Sequence, residues 1–145
     1  AVLENLRKIN PGLKIIFTVS PVKYLRDGLE NNSLSKSILI LASHEICSQV
    51  DGCSYFPSYE LVSDDLRDHR FYKEDLAHPN ELAVKYVWEK FSQTYFSKET
   101  LLLNEKIEKL NRSLSHRALH TNEEEEIRFR DHISKLNLGI ERGLK

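Results

Sequence analysis

Hydrophobic residues at the start of the chain recur in threes, with Val2 or Leu3, Leu6 and Ile9 on one side, which predicts a helix over residues 1–10. Pro11-Gly12 then stops the helix and turns the chain. The run LKIIFTVSPV that follows (13–22) is β-branched and aromatic with almost no polar alternation. That pattern predicts a strand buried on both faces, as in a parallel sheet covered by helices. Ser20-Pro21 ends it, and helix, turn and buried strand together read as half of a βαβ repeat.

Residues 22–34 are polar and read as a loop containing Arg26-Asp27-Gly28. From Ser35 the stretch SKSILILASHEICSQV predicts a helix with Ile38, Leu41, Ile46 and Val50 in the core, broken by Asp51-Gly52. SYFPSYELV (54–62) reads as extended, and Pro57 inside it argues for a sheet edge or an irregular strand. Asp64 to Tyr72 has a polar, helical or turn-like character. Residues 75–79 form a loop, because the residue before a proline is disfavoured in the α region. Pro79 is expected at the first helical position, with Ala83, Val87 and Phe91 facing inward. In the last third, Leu103, Ile107, Leu110 and Leu114 form one stripe and Phe129, Ile133, Leu136 and Ile140 another. They predict two amphipathic helices in a hairpin, the second opened by a capping box at Thr121 and Glu124.

Composition narrows the function. A chain of 145 residues, 40% hydrophobic and 30% charged, has the balance of a soluble globular domain and can bury a core without staples. The formal net charge of -1 gives no electrostatic reason to expect nucleic acid or an anionic membrane. No apolar run approaches the roughly 20 residues that span a bilayer. Cys47 and Cys53 are too few for a disulfide framework and read as reduced thiols of a cytoplasmic protein, although one bond between them is sterically conceivable. Ala1 opens a sequence without methionine, so the chain reads as a piece of a longer one.

Chemistry concentrates in Asp75-Leu76-Ala77-His78-Pro79. A hydroxyl nucleophile needs an imidazole to take its proton and return it, and the imidazole needs an acceptor on its other nitrogen. An Asp three residues before a His can meet that need within one turn. The spacing alone is weak, and a helix-capping Asp beside a surface His is the plain alternative. Its position, after the last expected strand and before a helix, is where open α/β sheets gather catalytic groups.

These residues carry a resemblance. Asp-x-x-His before the final helix resembles the last block of the SGNH (GDSL-like) hydrolases. More specifically, TVSPVKYLRDG (18–28), LSKSILILASHEIC (34–47), residues 55–91 and SHRALH (115–120) resemble the C-terminal part of a bacterial GSCFA family protein. The resemblance implies an α/β fold: the C-terminal portion of a three-layer αβα SGNH-hydrolase-like domain over 1–97, followed by a helical hairpin over 98–145. It implies that His78 is general base and acid, that Asp75 orients it, and that a serine attacks the ester. The Gly-Ser-Cys-Phe-Ala motif that names the family does not occur in this sequence. It is expected upstream of Ala1, together with the oxyanion-hole blocks, so the isolated piece is expected to be inactive. No metal and no organic cofactor is required. The expected partner is a small-molecule or glycan ester, without nucleic acid or membrane, and exposed surfaces of such a piece favour homo-oligomers. The rival class is a non-catalytic interaction module on the same scaffold.

Other candidates carry less. Ser20, at a strand end, is a substrate-contacting candidate, against a serine that bonds its own turn. Arg26 would contact substrate or form a salt bridge within its loop. Glu60, Asp64, Asp65, Arg67, Asp68 and Arg70 form a mixed-charge stretch, some of which would order the neighbouring loop. His116 and His120 share a helical face but have no third ligand placed beside them, and the Glu run at 123–126 reads as a solvated helix start.

Overall fold

The computed structural model describes residues 2–115 and 123–141, and the chain divides into two compact units, Ala1–Lys90 and Phe91–Lys145. The expected features at His116, His120 and the Thr121–Glu124 capping box lie outside the described residues or side chains.

The first unit opens with helix α1, Val2–Ile9. Asn10 closes it: its N–H reaches the Leu6 carbonyl at 2.9 Å, and its side-chain oxygen accepts from the Gly12 N–H at 3.2 Å. Strand β1, Ile15–Phe17, and strand β2, Cys53–Tyr55, pair in parallel, with Ile15 opposite Cys53 and Phe17 opposite Tyr55. Helix α2, Gly28–Gln49, connects them, so β1, α2 and β2 form a βαβ crossover. The turn from α2 into β2 uses Gly52 at φ 70, and its carbonyl accepts the Ile15 N–H at 2.9 Å. The described residues are therefore mostly helical around one small parallel sheet, an α/β arrangement.

Four sequence expectations change. Strand β1 is not buried on both faces: Ile16 is 38% exposed, because among the described residues the sheet has only two strands. The polar stretch expected as a loop to residue 34 is largely helical, since α2 starts at Gly28 after a 3₁₀ turn, Leu25–Asp27. The face of α2 that turns inward carries Asn32 and Lys36, both buried, while Ile38 and Leu41 are exposed. Four consecutive apolar residues, Ile38 to Leu41, gave no phase, and the true phase is set by two polar side chains. Beyond Pro57 the chain is helical, not extended: a single turn α3, Ser58–Glu60, runs on as a π-helical stretch, Leu61–Leu66. Val19, Phe56, Val62, Ala77 and Ala83 are the buried hydrophobic residues of this unit.

Helix α4, Glu81–Tyr95, begins two residues later than Pro79. Pro79 instead forms a bridge to Tyr72, and Asn80 caps the helix by accepting from the Ala83 N–H at 3.2 Å. Ala83 is fully buried, and Val87 and Phe91 are half-buried, on the expected inward face.

The second unit contains α5, Lys98–Ser115, and α6, Glu123–Glu141, which pack against each other as a hairpin. Ser97 starts α5, its hydroxyl oxygen accepting from the Thr100 N–H at 3.2 Å. Leu103, Ile107 and Leu110 are half-buried, as are Ile133, Leu136 and Ile140, whereas Leu114 and Phe129 stay exposed. No helix of the described residues is long and apolar enough to cross a membrane.

Candidate functional site

Residues 71–80 close on themselves before they present any side chain. The Asn80 N–H donates to the Phe71 carbonyl and the Lys73 N–H to the His78 carbonyl, both at 2.8 Å. The Asn80 side-chain amide adds a bond to the Arg70 carbonyl at 2.6 Å, and the Leu76 N–H returns to Lys73 at 2.9 Å. Leu76 completes the turn in the left-handed region at φ 54, a conformation that a branched residue rarely adopts. Ala77 is buried beneath the loop, and its carbonyl accepts the Lys23 N–H at 3.0 Å. Lys23 also lays its ammonium 4.0 Å from the centre of the Tyr72 ring. The loop is thus tied to the segment that leaves β1.

Within that frame Asp75 makes three bonds. Oδ1 accepts from the N–H groups of Ala77 at 2.9 Å and His78 at 3.0 Å. Oδ2 lies 2.7 Å from Nδ1 of His78. The His78 N–H, the Ala77 N–H and the His78 ring hold the Asp75 carboxyl down at about 2, well below its usual 3.8. A carboxylate so held only accepts, so Nδ1 carries the proton and donates it to Oδ2. In the neutral ring Nε2 is then the basic nitrogen. Nε2 has no hydrogen-bond partner among the described residues. Both side chains are about half exposed.

The protein-family comparison covers this site. The model of the GSCFA family matches residues 1–91, more than half of the chain, including the whole Asp75–His78 loop. The chain belongs to the GSCFA family. No curated protein and no solved structure matches it.

In this GSCFA chain Ser20 stands apart from His78 in its bonding. Its hydroxyl accepts from the Val22 N–H at 3.2 Å, and its carbonyl accepts from the Lys36 ammonium at 2.6 Å. Arg26 and Asp27 lie in the 3₁₀ turn and form no ion pair with each other. In the acidic stretch, Asp68 caps the turn at His69–Phe71 and pairs with Arg70 at 3.6 Å, Glu60 accepts from the Tyr55 hydroxyl at 2.9 Å, and Asp65 accepts from the Tyr86 hydroxyl. Cys47 and Cys53 are both free thiols, and burial, then the neighbouring Cys53, raises the Cys47 pKa. Among the described residues no three His, Cys, Asp or Glu side chains gather as a metal site.

Lys36 was not singled out by sequence reasoning. It is 8% exposed, and burial lowers the pKa of its ammonium. Its place three residues after Ser33 on a helix with no clear apolar phase gave no signal. Ser58 was missed because its stretch read as extended: its buried hydroxyl donates to the Val19 carbonyl at 2.8 Å and accepts from Thr18 at 2.5 Å, pinning the end of β1 to the start of α3.

Proposed function

We propose that this chain supplies the acid–base half of a serine ester hydrolase of the SGNH type. The 2.7 Å contact between Nδ1 of His78 and Oδ2 of Asp75, with Nε2 left open, is the observation that carries this reading. Nε2 takes the proton of a serine hydroxyl as its oxygen attacks the acyl carbon. The Asp75 carboxylate stabilises the imidazolium that results. The proton then passes to the departing alkoxide, and a water molecule repeats the sequence to release the acid. The serine belongs to the Gly-Ser-Cys-Phe-Ala block of the family. The βαβ crossover is compatible with a place in a three-layer αβα domain, whose sheet would continue beyond β1 and β2.

The test is hydrolysis of short aryl esters by a GSCFA protein that contains both that block and this chain, beside its His78→Ala variant. A fall on the order of a thousandfold or more is expected, the scale on which a triad member matters. Equal rates in the two proteins would refute the assignment.

One observation favours a second reading, an interaction module. Leu34, Ile38 and Leu41 share one face of α2 and are all exposed, Leu41 by 71%. A second copy of the chain would cover them. A molecular mass of one protomer in light scattering, at concentrations where stable dimers persist, would dismiss that reading.

A further inference from the structure

The hairpin of α5 and α6 carries a cavity of about 500 Å³, lined by Lys109, Arg112 and Ser113 of α5 and by Phe129 and His132 of α6. The volume falls within the range of small-molecule pockets, about 300 to 1,000 Å³. Arg112 and Ser113 follow Lys109 by three and four positions, and His132 follows Phe129 by three, so one face of each helix supplies the lining. The aliphatic stems of Lys109 and Arg112 add apolar wall beside the Phe129 ring, while their charged heads stay in water. Phe129 itself is 38% exposed, which leaves part of an aromatic surface uncovered next to two cations.

Charge in this lining has one sign. Lys109 and Arg112 stand a turn apart on α5, where like charges oppose each other. His132 meets them from α6, with Nε2 3.5 Å from the Ser113 hydroxyl oxygen. That hydroxyl already donates to the Lys109 carbonyl at 3.0 Å, so towards the imidazole it is an acceptor, and at 3.5 Å a poor one. With a proton on Nε2, the ring is therefore open to a better acceptor. The acids of the hairpin do not close on these cations. Glu105 and Glu108 stand four residues before Lys109 and Arg112, and neither forms an ion pair with them among the described residues. Asp131, beside His132 in sequence, is not part of the lining, and Glu126 is held by Arg130 at 2.7 Å.

We propose that this cavity binds a small aromatic phosphate ester. The Phe129 ring stacks on the aromatic group, and the Arg112 guanidinium, the Lys109 ammonium and the His132 imidazole donate to the phosphate oxygens. A phosphate suits the lining better than a carboxylate, because its three terminal oxygens meet three donors that arrive from two helices. The assignment stands apart from the hydrolase reading, since neither Asp75 nor His78 enters it.

Calorimetric titration of the full chain with 1-naphthyl phosphate tests the proposal. Two half-ligands are titrated beside it: 1-naphthol, which keeps the ring, and inorganic phosphate, which keeps the charge. Saturable one-to-one binding of the ester is expected, with each half-ligand weaker by about tenfold or more, the equivalent of roughly 1.4 kcal/mol. Arg112 is exposed, on a helix that accepts glutamine readily, so Arg112→Gln should keep the fold and weaken the ester by about fivefold or more. Lys109→Gln, equally exposed, repeats the comparison independently. Lys14→Gln removes an exposed cation outside the hairpin and should leave the affinity as it was. A titration of the ester that does not saturate overturns the proposal. So does either half-ligand binding as tightly as the ester, an undiminished affinity in Arg112→Gln and Lys109→Gln, or an equal loss in Lys14→Gln.

Discussion

The backbone N–H of Lys23 donates to the carbonyl of Ala77 at 3.0 Å, and this bond fastens the loop of Asp75 and His78 to the segment leaving β1. That segment is held in turn from α2, where the buried Lys36 ammonium reaches the Ser20 carbonyl at 2.6 Å and the Asn32 side chain accepts the Tyr24 N–H at 2.8 Å. The candidate site is therefore positioned by a polar relay beside the burial of Ala77.

Lys36→Met tests the relay. The substitution keeps the length of the side chain and removes the donor, leaving the Ser20 carbonyl without that partner. Loss of about 1.5–3 kcal/mol is expected, the range for a hydrogen bond made by a charged group. Urea denaturation checks it, with an unchanged slope and a lower midpoint.

Asp75 predicts a pH dependence. Its carboxyl titrates at about 2 in the folded chain and near 3.8 when free. The folded value is depressed, so the stabilisation is complete above about pH 4 to 5 and is lost as pH falls through 2. Asp75→Asn removes this titration. Unfolding free energies of the two proteins should converge as pH drops from 5 towards 2, and parallel curves would contradict the bonding described for the loop.

Gly52 has a φ of 70 in the turn that delivers β2. A Cβ there would meet Arg7 Nη2 at 3.4 Å and the Leu13 carbonyl at 3.6 Å, which are ordinary contacts. The cost of Gly52→Ala is thus conformational, about 1–2 kcal/mol for a left-handed alanine, offset in part by the stiffer unfolded chain. A thermal midpoint lower by a few degrees is the expected result.

Local elements were legible where one physical signal dominated. Helix α1, the Pro11-Gly12 turn and the two helices of the hairpin all appear in the structure, although Leu6 and Ile9 of α1 are exposed, as are Leu114 and Phe129 of the hairpin. The loop at 75–79 was legible because proline forbids helix before it, though the same proline went into a bridge with Tyr72 and left the cap to Asn80. The phase of α2 was not legible. Its inward residues are polar and bond to carbonyl and N–H groups 8 to 16 positions away, which periodicity does not report. The spacing of Asp75 and His78 was a weak signal, and it was their place after the last expected strand and before a helix that singled out the pair. Their support from Lys23, Lys36 and Tyr72 is a tertiary arrangement, and no spacing announces it.

Asp75 fixes the His78 ring with its proton on Nδ1 and leaves Nε2 unprotonated in the neutral ring. Nitrogen-15 long-range correlation of the His78 imidazole, above the pH at which it is neutral, reads this directly. Nε2 is expected with the shift of an unprotonated nitrogen and Nδ1 with that of a protonated one, with a move towards the Nε2–H form in Asp75→Asn. A neutral His78 already protonated on Nε2, or one indifferent to Asp75→Asn, would contradict it.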